Sequence, residues 1–544
     1  MPTPMSRRDL EFLLFEWLEV ESLTSRERFA DHSRDTFDAV LDLSADIAQK
    51  CFAPVNKTGD RNAPYIGAAG EVVLPSEISE GLTQFRNAGL IAGSFDETLG
   101  GMQLPTVVNR AAMTWFQAAN AAMTSYYFLT AANAGLLAEY GTAEQIETWV
   151  RPMLDGRFTG TMCLSEPQAG SSLADITTKA VAMPDGTYRI TGTKMWISGG
   201  DHELTANIVH LVLAKVPGGG TGVKGISLFI VPKYLADGTR NDVALVGLNH
   251  KMGNRATTNA LLNFGDGTFT PTAESGAVGY LVGTEHRGLT YMFHMMNEAR
   301  IGVGLLATAL GYAGYLASLE YARTRVQGRP IDAAAPADSK PVTIIEHADV
   351  KRMLLAQKSY VEAALALGLY CSKLVDEAAT TTGAEQDRAN LLLDVLTPIT
   401  KSWPSQWCLE ANSLAIQVHG GYGYTTEFDV EQYYRDNRLN PIHEGTHGIQ
   451  GLDLLGRKVT MHGGAGLVLL SDIIGATIDR AATEPALSTY ADDLGKALKQ
   501  LVAVTGRIWA ADDRGASLAN ASIYLEAAGH IDAGRDPRRG RREG

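Results

Sequence analysis

Glu444 lies in the segment Asn440-Pro441-Ile442-His443-Glu444-Gly445-Thr446-His447-Gly448-Ile449-Gln450, a carboxylate before a glycine between two helical stretches. Its neighbours are mostly uncharged, so the carboxyl can be desolvated, which lifts its pKa toward that of a useful general base. An ordinary surface glutamate fits the same pattern. Three more segments carry groups suited to holding a ligand. Thr161 to Ser172 opens from a strand-like run containing Cys163 into a loop with Ser165, Pro167, Gly170 and Ser171. Free amides and hydroxyls there could bind a phosphate or the edge of a heterocycle, and a plain serine-rich turn reads equally well. Gly192 to Gly200 sets Trp196 and Ser198 two apart on one strand face, where an indole can pack on a ring while the hydroxyl bonds its edge, or where the Trp simply fills a core. His419-Gly420-Gly421-Tyr422-Gly423-Tyr424 ends a helix predicted to start near Ser402, and its glycines allow close backbone approach to a ligand as well as capping.

The elements that must position these segments follow from hydrophobic period. Apolar residues recur at three and four residue spacings from about Asp9 to Val150, as in Phe12, Phe15, Leu18 and Leu136, Leu137, Tyr140, predicting amphipathic helices. From about Thr159 strand patterns appear, broken by Pro184-Asp185-Gly186 and Pro217-Gly218-Gly219-Gly220, predicting a small antiparallel β domain. Helical spacing returns near Tyr291 and runs through Leu409, with a loop at 327–342, and a separate helical piece follows Gly463. The fold class is therefore α+β, with segments 1–157 (helical), 158–285 (β), 286–462 (helical bundle) and 463–544 (helical extension). The last ten residues, with Arg535, Arg538, Arg539, Arg541 and Arg542, read as a disordered solvated tail. Ile301 to Ala307 imitates a dinucleotide fingerprint, but a helix rather than a strand precedes it. Gly304, Ala307, Gly311 and Gly314 read instead as small residues that let another helix approach.

Composition narrows the partners. The chain has 544 residues with 47 Lys plus Arg against 61 Asp plus Glu, a formal charge of -14, which opposes nucleic-acid binding and anionic lipid alike. The four cysteines, Cys51, Cys163, Cys371 and Cys408, have no ligand spacing, so no metal is expected and a reducing cytoplasm fits. The acidic start after Arg7 and Arg8 does not suit a secretion signal. The run from Gly302 to Leu319 carries Thr308, Tyr312, Tyr315 and Ser318, so no membrane span is expected.

Taken in order, the four segments resemble the acyl-CoA dehydrogenase family of flavoproteins over roughly Asp9 to Val459. Cys163 to Ser172 looks like its first flavin signature, Trp196-Ile197-Ser198 like its flavin-facing strand, and Gly420 to Gly423 with Glu444-Gly445-Thr446 like its second signature. The extension after Gly463 and the run Leu452 to Lys458 look most like the bacterial branch that includes methylthiopropionyl-CoA dehydrogenase. The resemblance implies that the antiparallel β domain is barrel-like, with FAD as cofactor, acyl-CoA as substrate and an electron-transfer flavoprotein as acceptor. It implies that Cys163, Ser165, Trp196 and Ser198 lie at the isoalloxazine, and that Ser171 lies near the flavin phosphates and the pantetheine arm. Arg325, Gln417, Gly420 and Gly421 would reach the pyrophosphate of a neighbouring subunit's FAD, implying at least a homodimer, and Thr446 would lie near its own flavin's adenosine half. Arg300 and Gly445 would serve the CoA substrate.

Glu444 is then the implied base, removing the α-proton while hydride leaves the β-carbon, with its own backbone N–H polarising the thioester oxygen. Some family members place the base just before the arginine matching Arg300. That position is Ala299 here, and Glu298 is about 100° round the helix from it. Two departures stand out: Ser172 where the first signature usually has Asp, and His443 in place of an aromatic, which could add a charge beside Glu444. The alternatives are an oxidase on the same fold that uses oxygen, and a flavin-containing DNA-binding protein of that fold, suggested by the arginine tail and opposed by the net charge.

Overall fold

A computed structural model of the chain describes residues 3–331 and 339–534, apart from the side chains of His294, Met295 and Asn297. The arginine tail and the middle of the 327–342 loop lie outside the described residues. The chain forms two compact units, one of Leu43–Leu104 with Ala119–Ala299, the other of Met1–Asp42, Pro105–Ala118 and Arg300–Gly544.

In the first unit, helix α1 (Ala121–Tyr140) precedes eight strands: β1 (Phe158–Cys163), β2 (Lys179–Ala182), β3 (Tyr188–Ser198), β4 (Asn207–Lys215), β5 (Ile226–Pro232), β6 (Val243–Leu248), β7 (Asn259–Phe264) and β8 (Ala277–Leu281). Their order is β8-β5-β4-β2-β3-β7-β6, and β8 also pairs with β3, closing a barrel-like ring. The sheet is mixed rather than wholly antiparallel, because β1 runs parallel to β4. Both faces of β4 and β5 are buried, which explains their nearly unbroken apolar runs. Val209, Leu211 and Leu213 of β4 join Leu136 and Leu137 of α1 in one core, while Val212 and Ala214 point into another with Ile190, Leu262 and Phe264. Asn133 of α1 ties the layers, donating to the carbonyls of Val209 (2.8 Å) and Thr161 (3.2 Å). The helices before the sheet thus share its core.

The second unit is built on three long helices, α2 (Gly288–Thr324, in this unit from Arg300), α3 (Ala348–Thr380) and α4 (Ala384–His419), followed by α5 (Val430–Asn437), α6 (His447–Asp453), α7 (Ala465–Ala482), α8 (Ser488–Trp509) and α9 (Ala521–Ala533). Pro105–Ala118 is held to it by Asp376, whose carboxylate accepts from the N–H groups of Thr106 (2.6 Å) and Val107 (2.9 Å) at a helix start. α4 begins at Ala384, well before the expected Ser402, and carries Pro398 and Pro404 in its interior. Proline at 404 has no N–H to give the Thr400 carbonyl, and Gly304 of α2 packs directly on that oxygen. Gly311 meets Cys408 and Gly314 meets Asn412 in the same way, so the small-residue stripe brings α2 onto α4 as expected.

The extension after Gly463 packs on α4 instead of standing apart: Gly466 meets Val395 and Gly529 meets Trp403. Among the described residues two helices, Gly288–Thr324 and Met461–Ala482, are long and apolar enough to cross a membrane by composition. The apolar window of the first is 83% buried inside the fold, that of the second 17%.

These contacts predict opposite outcomes for two glycines. A Cβ at Gly304 would lie 2.0 Å from the Thr400 carbonyl oxygen, so Gly304→Ala should cost about 1–3 kcal/mol. Gly475, within α7, has open space around that position, so Gly475→Ala should stabilise by about 0.4–1 kcal/mol. Denaturant midpoints of the two variants measure both.

Candidate functional site

In the first unit the loop after β1 is fixed by a buried carboxylate. Glu166 accepts hydrogen bonds from the Thr177 N–H (2.7 Å) and hydroxyl (2.8 Å), the Thr178 N–H (3.0 Å) and hydroxyl (2.6 Å), and the Gln168 amide (2.7 Å). Lys194 of β3 completes the arrangement, its ammonium 3.0 Å from Glu166 and 3.0 Å from the Leu164 carbonyl. Burial alone would raise the Glu166 carboxyl, but Lys194 and the threonine donors outweigh it and hold the group at about 2. The Met195 N–H donates to the Ser165 carbonyl (3.0 Å), so the loop is also sewn to the strand that carries Trp196.

Strand β3 is irregular at the residue that matters. Its register with β7 shifts between Lys194 and Ile197, a bulge, and Trp196 has φ +67°. A left-handed Trp is strained by on the order of 1–3 kcal/mol and persists only where its surroundings enforce it. The bulge re-aims the side chain: Trp196 is 58% exposed, Ile197 is buried, and Ser198 is half-buried with its hydroxyl accepting from the Asn259 amide (3.2 Å). The expected regular strand pair is thus an indole presented outward on a bulge beside a hydroxyl. Ser165 is half-buried and Ser171 exposed, while Ser172 bonds Asp175 (2.6 Å).

Cys163 differs from expectation. Its thiol is wholly buried, 3.7 Å from the Thr161 hydroxyl and 3.9 Å from His210 Nδ1, and burial pushes it up to about 12. The residue as a whole is 0% exposed and lies in the ladder opposite Val212, so it does not present a group to a ligand at the loop as expected.

In the second unit Glu444 stands between α5 and α6 with φ +53°, followed by Gly445 at φ +92°. The side chain is half-buried, and neither its carboxylate nor its backbone N–H has a hydrogen-bond partner among the described residues. Burial raises its pKa, and the charges of Lys401 and Arg300 oppose the rise. Arg300 is buried and paired with Asp453 (3.0 Å). His443 hydrogen-bonds the Asn440 side chain (3.0 Å), and burial with the nearby Lys401 charge pushes it down to about 3. It is therefore neutral and does not add the charge that the sequence suggested. Thr446 is half-buried and starts α6, and Glu298 is exposed on α2.

A separate cleft of about 700 Å³ in this unit brings together Arg325, Tyr321, His419, Gly420, Gly421 and Tyr422. The Arg325 guanidinium lies 5.5 Å from the Tyr422 ring centroid and donates to the Gln327 side chain (3.0 Å). No atom lies within 4 Å of where a Cβ would stand at Gly420 or Gly421, leaving backbone open to a ligand. Gln417 is exposed on the last turn of α4 and does not line the cleft.

Residues 42–157, 161–266 and 286–460 match the models of the acyl-CoA dehydrogenase N-terminal, middle and C-terminal domains respectively. The chain is 37% identical to the 3-methylmercaptopropionyl-CoA dehydrogenase of Ruegeria pomeroyi, over 86% of this chain and 78% of that protein. The chain belongs to the acyl-CoA dehydrogenase family. It is also 35% identical to the broad-specificity linear acyl-CoA dehydrogenase FadE5 of Mycobacterium tuberculosis, over 94% of this chain and 85% of the relative. In fold it resembles an acyl-CoA dehydrogenase complexed with FAD from Bacillus anthracis, with TM-score 0.73 at 19% identity, over 94% and 82% of the two chains. Membership makes it an oxidoreductase acting on CH–CH bonds, and the first relative agrees with the finer bacterial resemblance.

Three residues that position this acyl-CoA dehydrogenase's candidate site were not singled out in the sequence: Glu166, Lys194 and Lys401. The first two sit inside quoted segments, where a carboxylate and an amine 28 positions apart give no local sign of pairing. Lys401 is 44 positions from the loop it bonds.

Removing the ammonium alone, as in Lys194→Met, strands a buried carboxylate and should cost about 3–5 kcal/mol. Because folding depresses the Glu166 pKa, its contribution is fully present above the ordinary 4.5 and is lost as pH falls toward about 2. Acid unfolding of the wild type against Lys194→Met should show this window shrink in the variant.

Proposed function

We propose that this chain binds FAD and oxidises an acyl-CoA thioester to the trans-2-enoyl-CoA, with Glu444 as base and an electron-transfer flavoprotein as acceptor. The observation that carries the reading is the Glu444 carboxylate: raised by burial, half-open, and hydrogen-bonded by no group among the described residues. A base must have an unshared electron pair, engaged by no donor, facing its substrate.

The residues present fit FAD. The outward indole of Trp196, with Ser165 and Ser198 beside it, suits an aromatic ring with a polar edge. The open glycine backbone at Gly420 and Gly421 beside Arg325 suits a pyrophosphate. FAD, when bound, supplies the hydride acceptor. The protein's own part is to hold the thioester, take the α-proton on a Glu444 carboxylate oxygen, and polarise the thioester carbonyl through the unpaired Glu444 N–H. Ser171, on the exposed loop, and Arg300 and Gly445, beside Glu444, would contact the CoA thioester. Thr446 would bind the adenosine half of the cofactor. If the Arg325 cleft, together with the exposed Gln417, serves the cofactor of a second copy, the enzyme is at least a homodimer. We assign it to the cytoplasm and keep 1–157, 158–285, 286–462 and 463–544 as its functional segments.

Glu444→Gln should purify yellow and fold normally, yet lose anaerobic bleaching by acyl-CoA by about 10²-fold or more. A linear series and 3-methylmercaptopropionyl-CoA, the substrates named for the two relatives, form the panel. A variant that bleaches at the wild-type rate excludes Glu444 as base. Arg325→Ala should hold FAD about tenfold or more weakly, read from flavin content after dialysis.

A further inference from the structure

Lys401 is fully buried on α4, between Pro398 and Pro404, and no carboxylate pairs with it among the described residues. Among the described residues its ammonium donates to two carbonyls, that of Asn440 (2.9 Å) and that of Gly445 (2.6 Å). These bracket the candidate base. Within the bracket Glu444 and Gly445 both have left-handed backbone, a conformation a glutamate rarely adopts and keeps only when fixed from outside. The Glu444 carbonyl is fixed as well, accepting from the buried Gln450 side chain of α6 (2.9 Å). Both strained peptides are therefore held by their oxygens, one from α4 and one from α6.

We propose that Lys401 is the positioning residue for Glu444: it clamps the 440–445 loop so that the carboxylate stays clear of the protein, and it supplies the uncompensated positive charge facing it. The inference rests on the reading of Glu444 as base. The other cation facing Glu444, Arg300 of α2, is ion-paired with Asp453, a carboxylate it shares with Arg457 (2.8 Å), and its charge also opposes the rise at Glu444. The histidines facing Lys401, His443 and His447, are held neutral by burial and by the Lys401 charge, with Arg438 adding to the shift of His447. Burial also pushes the Lys401 ammonium down to about 7, with the Glu444 charge opposing that shift and Arg300 adding to it. Below about pH 7 Lys401 thus carries a charge that Glu444 stabilises, and in return it favours ionised Glu444.

A carboxylate base works when ionised, so bleaching accelerates as pH rises through its pKa. Without the cation that pKa moves up. Anaerobic bleaching by a saturating acyl-CoA is therefore followed against pH for wild type, Lys401→Met, Lys401→Gln and Lys401→Arg, with flavin content and thermal midpoint measured on each. We expect Lys401→Met and Lys401→Gln to keep FAD, to lose at least tenfold in bleaching rate with little change in the acyl-CoA concentration giving half the rate, and to shift the rising limb to higher pH. Lys401→Arg, which keeps the charge, should lose rate with the limb unmoved. If Lys401→Met does not accumulate, the Gln and Arg pair carries the test. Limbs that coincide with the wild type in Lys401→Gln, or shift equally in Lys401→Gln and Lys401→Arg, overturn the inference. An inactive Glu444→Gln with unmoved Lys401 profiles defeats this inference alone, whereas an active Glu444→Gln defeats the reading beneath it.

Discussion

A lysine ammonium taken out of water and given only carbonyls is among the least comfortable groups a fold can hold, and the helical unit is arranged around one. Lys401 bonds Asn440 and Gly445 from a helix whose own path is unusual. Pro398 and Pro404 sit inside α4, and the Thr400 carbonyl left without a proline N–H is covered by Gly304 of α2. The small-residue stripe, the interior prolines and the buried lysine thus form one connected arrangement that ends at the Glu444 loop.

The β unit solves a parallel problem with the opposite charge. Glu166, buried after β1, collects six donors including Lys194 of β3, and β3 then bulges to turn Trp196 outward. In both units a buried charge, anchored to backbone of a loop, sits close in sequence or space to a residue with left-handed backbone. Strain at Trp196 and Glu444 is the local cost of aiming two side chains, and the buried charges keep their surroundings from relaxing it.

Much of this was legible in the sequence. The α+β order, the helical stripe at Gly304, Gly311 and Gly314, and the four segments that carry the family resemblance all depend on residues near one another in the chain. The bulge at Trp196 was not, because alternation of residue types describes a regular strand and says nothing about one extra residue opposite Leu261. The early start of α4 at Ala384 was obscured by its two prolines, which normally end a helix but are tolerated here by packing. The parallel pairing of β1 with β4 joins residues about fifty apart, a distance over which local pattern has no voice. His443 reads as a possible charge in sequence and is neutral in the fold, since burial beside Lys401 decides its protonation.

The central claim is that Glu444 is held, with an unengaged carboxylate, at the α-carbon of an acyl-CoA. A crystal structure of the FAD-loaded protein with a non-reactive acyl-CoA analogue measures this directly. The account predicts a Glu444 carboxylate oxygen about 3–3.5 Å from that carbon, with the Lys401 bonds to Asn440 and Gly445 intact. A carboxylate turned away from the thioester, or a loop that has let go of Lys401 to bind it, would contradict the account.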